Sequence, residues 1–198
     1  MIVLDAEMSG LDPKIHSILS IGAVDFSKPE RQFYMEAKLR NNAQIDPEAM
    51  EVNGFTTKEV KDKNKPTEKE MILKLCKWMD DTKDRTIGGH NVQNDIKFLK
   101  YAIALYQIDY KINSRAVDTY ALTYESYLKR KLKFPMKDNI ADLKSDVVFK
   151  YCGLKQEPHP HNALTGAKME AEAFSRLIYG KNLLKDFKNF KIPRYLIQ

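Results

Sequence analysis

The chain opens on an apolar run, Met1-Ile2-Val3-Leu4, that ends in two carboxylates two positions apart, Asp5 and Glu7. Read as a strand, the run sends successive side chains to opposite faces, so Asp5 and Glu7 project from one side and Ala6 from the other. Like charges forced together at the end of a strand apolar enough to be buried repel each other unless a cation lies between them. A hard divalent ion such as Mg2+ or Mn2+ suits oxygen ligands best. The pair also admits a plainer reading: Ser9-Gly10-Leu11-Asp12-Pro13 follows directly and is rich in turn formers, so both acids could equally be solvated at a strand exit.

Beyond this run, the periodicity predicts strands over Ile15 to Phe26 and Phe33 to Leu39, separated by a Ser27-Lys28-Pro29-Glu30 turn, which makes a three-strand meander. Pro47 starts a short helix and Thr67 caps a longer amphipathic one carrying Met71, Ile72, Leu75 and Met79, with a lysine-rich surface loop between them. The second half alternates differently. Short strands at Thr86 to Gly89 and Ala116 to Asp118 are interleaved with helices over about Gln93 to Tyr106, Thr119 to Leu128, Ile140 to Phe149 and Ala163 to Tyr179. A meander followed by strand-helix repeats implies an α/β fold with a mixed sheet flanked by helices.

At 198 residues the chain suits one domain with a full core, and no linker or repeat divides it. The formal charge of +6 is compatible with an anionic partner. Cys76 and Cys152 are far apart and outside any metal-binding spacing, so neither a disulfide framework nor a zinc site is expected; a reducing, cytoplasmic setting is. With no basic leader before the first apolar run, and nowhere about 18 consecutive apolar residues, secretion and membrane insertion are not expected either.

Two further residues could do chemistry with the opening pair. Asp95, early in its helix, shares the stripe of Phe98, Leu99 and Ala102, which aims a carboxylate inward where it needs a partner or a metal; as an alternative it caps the first turn. His161 lies in Pro158-His159-Pro160-His161-Asn162, ahead of the last long helix, whose positive end disfavours imidazolium and suits a neutral general base; His159 is chemically equivalent.

Taken together these residues resemble the DEDDh exonucleases, the DnaQ-like 3'-5' exonuclease superfamily with a ribonuclease-H-like fold. Asp5-Ala6-Glu7-Met8-Ser9-Gly10-Leu11 is similar to the first motif of that family, Gly89-His90-Asn91 through Asp95-Ile96-Lys97-Phe98-Leu99 to the second, and Asp46 to Thr56 to its P-E-A-x-x-V-(H/N)-G-I-T segment. Ala116-Val117-Asp118-Thr119 is similar to the usual strand ending in D-T, by which Asp118 is structural. The third motif, H-x-x-x-x-D, departs: five residues after His161 stands Gly166. Glycine costs roughly 1 kcal/mol relative to alanine inside a helix, so an aspartate lost from this position is the natural reading. Glu170, one turn further on, could reach back in its place, whereas Glu172 points elsewhere.

The resemblance implies a ribonuclease-H-like mixed five-stranded sheet, three strands of meander plus two more, within an exonuclease domain over residues 1 to 180. Residues 181 to 198 then form a basic, aromatic tail of the same domain. It implies catalysis by Asp5, Glu7, Asp95 and His161. Two Mg2+ or Mn2+ ions would be held by Asp5, Glu7 and Asp95, and His161 would take a proton from the attacking water. Met8, Ser9, Gly10, Leu11, His90 and Asn91 would line the pocket for the terminal nucleotide of a single-stranded DNA or RNA 3' end, releasing nucleoside 5'-monophosphates. Gly166 implies weakened metal binding and turnover, and the alternative is a non-catalytic 3'-end binder or scaffold. The tracts Lys129 to Lys133 and Lys181 to Arg194, the latter with Phe187, Phe190 and Tyr195, either guide the strand or are a solvated face and a docked tail.

Overall fold

The computed structural model describes residues 1–197, and its centre is a mixed sheet of five strands in the order β3-β2-β1-β4-β5. The first three, β1 (Ile2–Met8), β2 (Ile18–Asp25) and β3 (Gln32–Glu36), form the antiparallel meander. β4 (Ile87–Gly89) and β5 (Ala116–Asp118) extend it in parallel from the other edge of β1. Every residue of β2 is buried, as expected of a strand covered on both faces.

Helices follow where capping chemistry starts them. α1 (Pro47–Asn53) begins on an Asp46 cap with proline in its first turn, and α3 (Glu68–Asp80) begins on the Thr67–Glu70 capping box. The lysine-rich segment between them is not all loop. Thr56 and Glu59 form a second capping box that nucleates the single turn α2 (Thr57–Val60). α4 (Gln93–Leu105), α5 (Thr119–Lys129) and α7 (Ala163–Tyr179) lie where their periodicity places them.

The expected helix over Ile140 to Phe149 is shorter, α6 (Ser145–Tyr151), and is preceded by a hairpin, β6 (Met136–Lys137) and β7 (Ile140–Ala141). Asp138 and Asn139 take φ of 50° and 63°, the paired left-handed conformation that a two-residue hairpin turn needs and a helix cannot contain. Strand β2 starts three residues later than its apolar run, because His16 and Ile15 donate to the Asp12 carbonyl and close a turn there.

The alternation of β1 divides the core. Ile2, Leu4 and Ala6 pack with α3 and α4 on one face, and Val3 packs with Val24, Ala167, Ala171 and Phe174 of β2 and α7 on the other. Asp5 and Glu7 therefore project toward α7. A third cluster joins α5, α6 and α7 and takes in Phe187, Phe190 and Leu196 of the C-terminal segment. Arg176 and Glu172, both fully buried on α7, pair at 2.9 Å, and the guanidinium also donates to the carbonyls of Cys152, Phe187 and Phe190. Glu172 accepts from the Leu183 and Leu184 amides, so this acid fastens the tail and stays away from the cleft, as the sequence suggested. Among the described residues no helix is long and apolar enough to cross a membrane.

Candidate active site

The carboxyl end of β1 is where the acids meet. Asp5 lies opposite Gly22 in the β1–β2 register, and a Cβ on Gly22 would fall 2.2 Å from the carbonyl carbon of Ala163. The bare backbone at that point lets the first turn of α7 rest directly on the sheet, started by Asn162, whose side chain accepts from the Leu164 and Thr165 amides. Gly166 follows one turn later and faces Asp5: a Cβ there would stand 2.0 Å from Asp5 Oδ2 and 3.2 Å from Glu157 Oε1. This glycine thus has a physical reason that periodicity could not supply, since the volume of its missing side chain is filled by an acid from the sheet.

Five carboxylates from four chain segments gather here: Asp5 and Glu7 from β1, Asp95 from the first turn of α4, Glu157 from the loop before α7, and Glu170 from α7 itself. Burial pushes Asp5 up to about 7, tempered by the Ala6 amide. Burial, then the neighbouring Asp5 and Glu157 charges, push Glu7 up to about 8. Glu157 rises to about 8 for the same reasons, burial first and Asp5 second. Asp95 and Glu170 are raised well above the ordinary carboxylate value by burial and by the Asp5 charge. Asp95 sits in the first turn of α4, where an acid also suits the positive end of the helix, and is not the N-cap residue, which is Val92 and makes no side-chain cap bond.

Among the described residues no lysine or arginine offsets this cluster; the imidazole of His161 stands beside it, with Nδ1 3.8 Å from Glu157 Oε2. Burial and the adjacent His159 ring lower the His161 pKa, which keeps it neutral near pH 7. Donor atoms of Glu7, Glu157 and His161 all fall within 4.8 Å of one another. Glu157 Oε1 and Glu170 Oε2 are buried and have no hydrogen-bond partner. Oxygen-rich, with orphaned buried oxygens and without a lysine or arginine beside it, this donor set fits a hard divalent metal ion.

The structure thus brings together Asp5, Glu7, Asp95 and His161 as the sequence placed them. Glu170 joins them, its Oε1 accepting from the His90 amide at 3.1 Å. Glu157 was missed by sequence reasoning; its signals are its position four residues before His161 and the absence of an acid at 166. His90 and Asn91 line a groove of about 550 Å³ beside the cluster, together with Asp118, Tyr120, Leu143 and Lys144. Asp118 is structural as expected, accepting from the Tyr120 and Val92 amides.

The loop after β1 divides in role. Leu11 is 74% exposed at its tip, and Met8 is held by Asn53, which donates to its carbonyl. Ser9, expected to line a nucleotide pocket, is instead fully buried: its hydroxyl donates to the Gln44 carbonyl and accepts from the Ser17 amide, so it anchors the turn. Gly10 packs against the His16 ring. In the tail, Tyr195 donates to the Tyr151 carbonyl and its own carbonyl accepts from Arg130, so these aromatics dock on the domain.

Comparison with known proteins bears on this arrangement. The RNase_T family model, described as exonuclease, matches residues 2–174. A DNA polymerase III of PolC type from Thermotoga maritima is 27% identical over 178 residues, which is 89% of this chain and 12% of that protein, so the chain spans about an eighth of this relative's length. Among solved structures, the nuclease domain of 3'hExo, a DEDDh family member bound to rAMP, superposes with a TM-score of 0.63 at 17% identity, covering 98% of this chain and 95% of that one. Escherichia coli exonuclease I in complex with an oligonucleotide gives a TM-score of 0.67 at 16% identity, covering 87% of this chain and 39% of that one. These likenesses carry the ribonuclease-H-like fold.

Proposed function

Because this chain belongs to the RNase_T exonuclease family, we propose that it is a metal-dependent 3'-5' exonuclease that hydrolyses the terminal phosphodiester of single-stranded DNA or RNA and releases a nucleoside 5'-monophosphate. The observation that carries this reading is the convergence of acids from β1, α4, the loop before α7 and α7 around two orphaned buried oxygens, with no protein cation among the described residues to balance them.

Asp5, Glu7 and Asp95 would hold two divalent ions, Mg2+ or Mn2+; the charge of Asp5 acts on each of the other four acids. When bound, such ions supply Lewis-acid stabilisation of charge on the attacking and leaving oxygens. His161 accepts the proton of the attacking water: it is neutral near pH 7, partly open to solvent, and on the same side of the cleft as Glu7. The exposed Leu11 offers an apolar edge for the terminal base, and the groove past His90 and Asn91 gives the strand a path. Nucleic acid is the partner that the relatives' complexes suggest, an oligonucleotide for exonuclease I and rAMP for 3'hExo.

The second reading, a 3'-end binder without turnover, is favoured by Gly166 at the position where the family has its last aspartate. One assay separates the two. With Mn2+, an oligonucleotide labelled at its 3' terminus yields labelled mononucleotide under the first reading and is bound but left intact under the second.

A further inference from the structure

We infer that Glu157, which lies outside the motifs of the family, is a metal ligand that takes the coordination position left open by Gly166; this rests on the nuclease reading above. Three independent observations meet at this side chain. Its Oε1 lies 3.2 Å from where a Cβ on Gly166 would be, so its carboxylate stands, with that of Asp5, beside the position from which an acidic side chain at 166 would extend. That same Oε1 is buried and lacks any hydrogen-bond partner, in a residue only 8% exposed. And the Glu157 carboxylate shares a 4.8 Å cluster of donor atoms with Glu7 and His161.

A dry, unpaired carboxylate oxygen beside two other acids is relieved by a proton or by a cation, and a single divalent ion can serve several of these oxygens at once. Local chemistry keeps it there. Pro158 and Pro160 stiffen the segment between Glu157 and His161, the Glu157 amide donates to Asp146 Oδ1, and the His161 amide donates to the Val52 carbonyl. The acid is thus delivered from a pinned loop in place of the helix. Glu170, whose Oε2 is likewise buried without a partner, is the other candidate for the same position, but its Oε1 is held by the His90 amide and the atoms nearest to a Cβ on Gly166 belong to Asp5 and Glu157.

The test is Mn2+ binding by the intact chain, read by titration calorimetry and by the loss of the free-ion electron paramagnetic resonance signal, with no substrate present. Glu157→Gln keeps the shape of the side chain and removes its charge, so it should weaken Mn2+ binding by roughly tenfold or more, a scale reached even when only the partners of metal ligands are lost. Glu125→Gln, on the exposed surface of α5, should bind Mn2+ as the unaltered chain does. A metal-free melting temperature equal to or above that of the unaltered chain shows that Glu157→Gln folds. If it folds and binds Mn2+ with unchanged affinity, the assignment of Glu157 is overturned while the nuclease reading stands. If the unaltered chain binds no Mn2+, both are overturned.

Discussion

Gly22 stands directly across the β1–β2 ladder from Asp5, and its missing side chain is what allows α7 to touch the sheet beside that carboxylate. A methyl group there would fall 2.2 Å from the Ala163 carbonyl carbon and 2.3 Å from the Leu164 amide nitrogen, which are backbone atoms that cannot swing away. Gly22→Ala is therefore expected to lift the start of α7, at a cost of about 1–3 kcal/mol for overpacking, and to lower nuclease activity with it. Chemical denaturation and the mononucleotide-release assay measure the two effects.

Gly166 behaves differently, because what it would meet is a movable carboxylate. Gly166→Ala gains about 1 kcal/mol of helix propensity but displaces Asp5 Oδ2, which lies 2.0 Å from the new carbon. The expected result is a melting temperature held or raised, with turnover reduced by about tenfold or more, as when a ligand is moved by its surroundings. Both follow from a thermal melt and an initial-rate measurement on the same preparation.

Removing charge from the cluster separates stability from activity. Asp5→Asn relieves repulsion among Glu7, Asp95, Glu157 and Glu170, so the metal-free protein should melt higher by roughly 2–4 °C, the shift that about 1 kcal/mol gives a domain of this size. Turnover should fall below detection in the same variant. An unchanged rate would remove Asp5 from the chemistry.

Protons and metal compete for the same oxygens, which fixes the sign of the pH dependence. Asp5 is pushed up to about 7, and Glu7 and Glu157 to about 8, from ordinary values of 3.8 and 4.5. Groups raised in this way support the fold fully below their unfolded values, and that support is lost as the pH rises through the folded values. The metal-free protein is expected to lose thermal stability between about pH 4 and about pH 8, and added Mn2+ to restore more of it at the upper end than at the lower. Calorimetry with and without a chelator across that range checks the trend.

Away from the cleft, Arg176→Ala should destabilise the chain by about 3–5 kcal/mol, because it strands the buried Glu172 and frees the carbonyls of Cys152, Phe187 and Phe190. A denaturant titration gives the value.

Much of this was legible in the residues. The alternation of β1 put Asp5 and Glu7 on one face, the stripe of α4 turned Asp95 inward, and the order of motifs named the fold. What stayed hidden depended on approaches between segments distant in the chain. Nothing along α7 says that Asp5 fills the space beside Gly166, nor that Glu157 folds back against it, since no periodicity links a proline-rich loop to a strand some 150 residues earlier. The same limit applied to Ser9, whose turn chemistry was visible but whose two partners, Gln44 and Ser17, come from other segments. The hairpin at Asp138-Asn139 was missed for a local reason: short apolar runs fit a helix and a strand alike until the turn residues are weighed.

The claim on which the rest depends is that these acids hold divalent metal. Anomalous diffraction from crystals grown with Mn2+ tests it most directly. The account predicts manganese peaks bonded to the Asp5 carboxylate, one of them also within bonding distance of Glu7 and Glu157; manganese found only outside this cluster, with the five carboxylates unliganded, would contradict it.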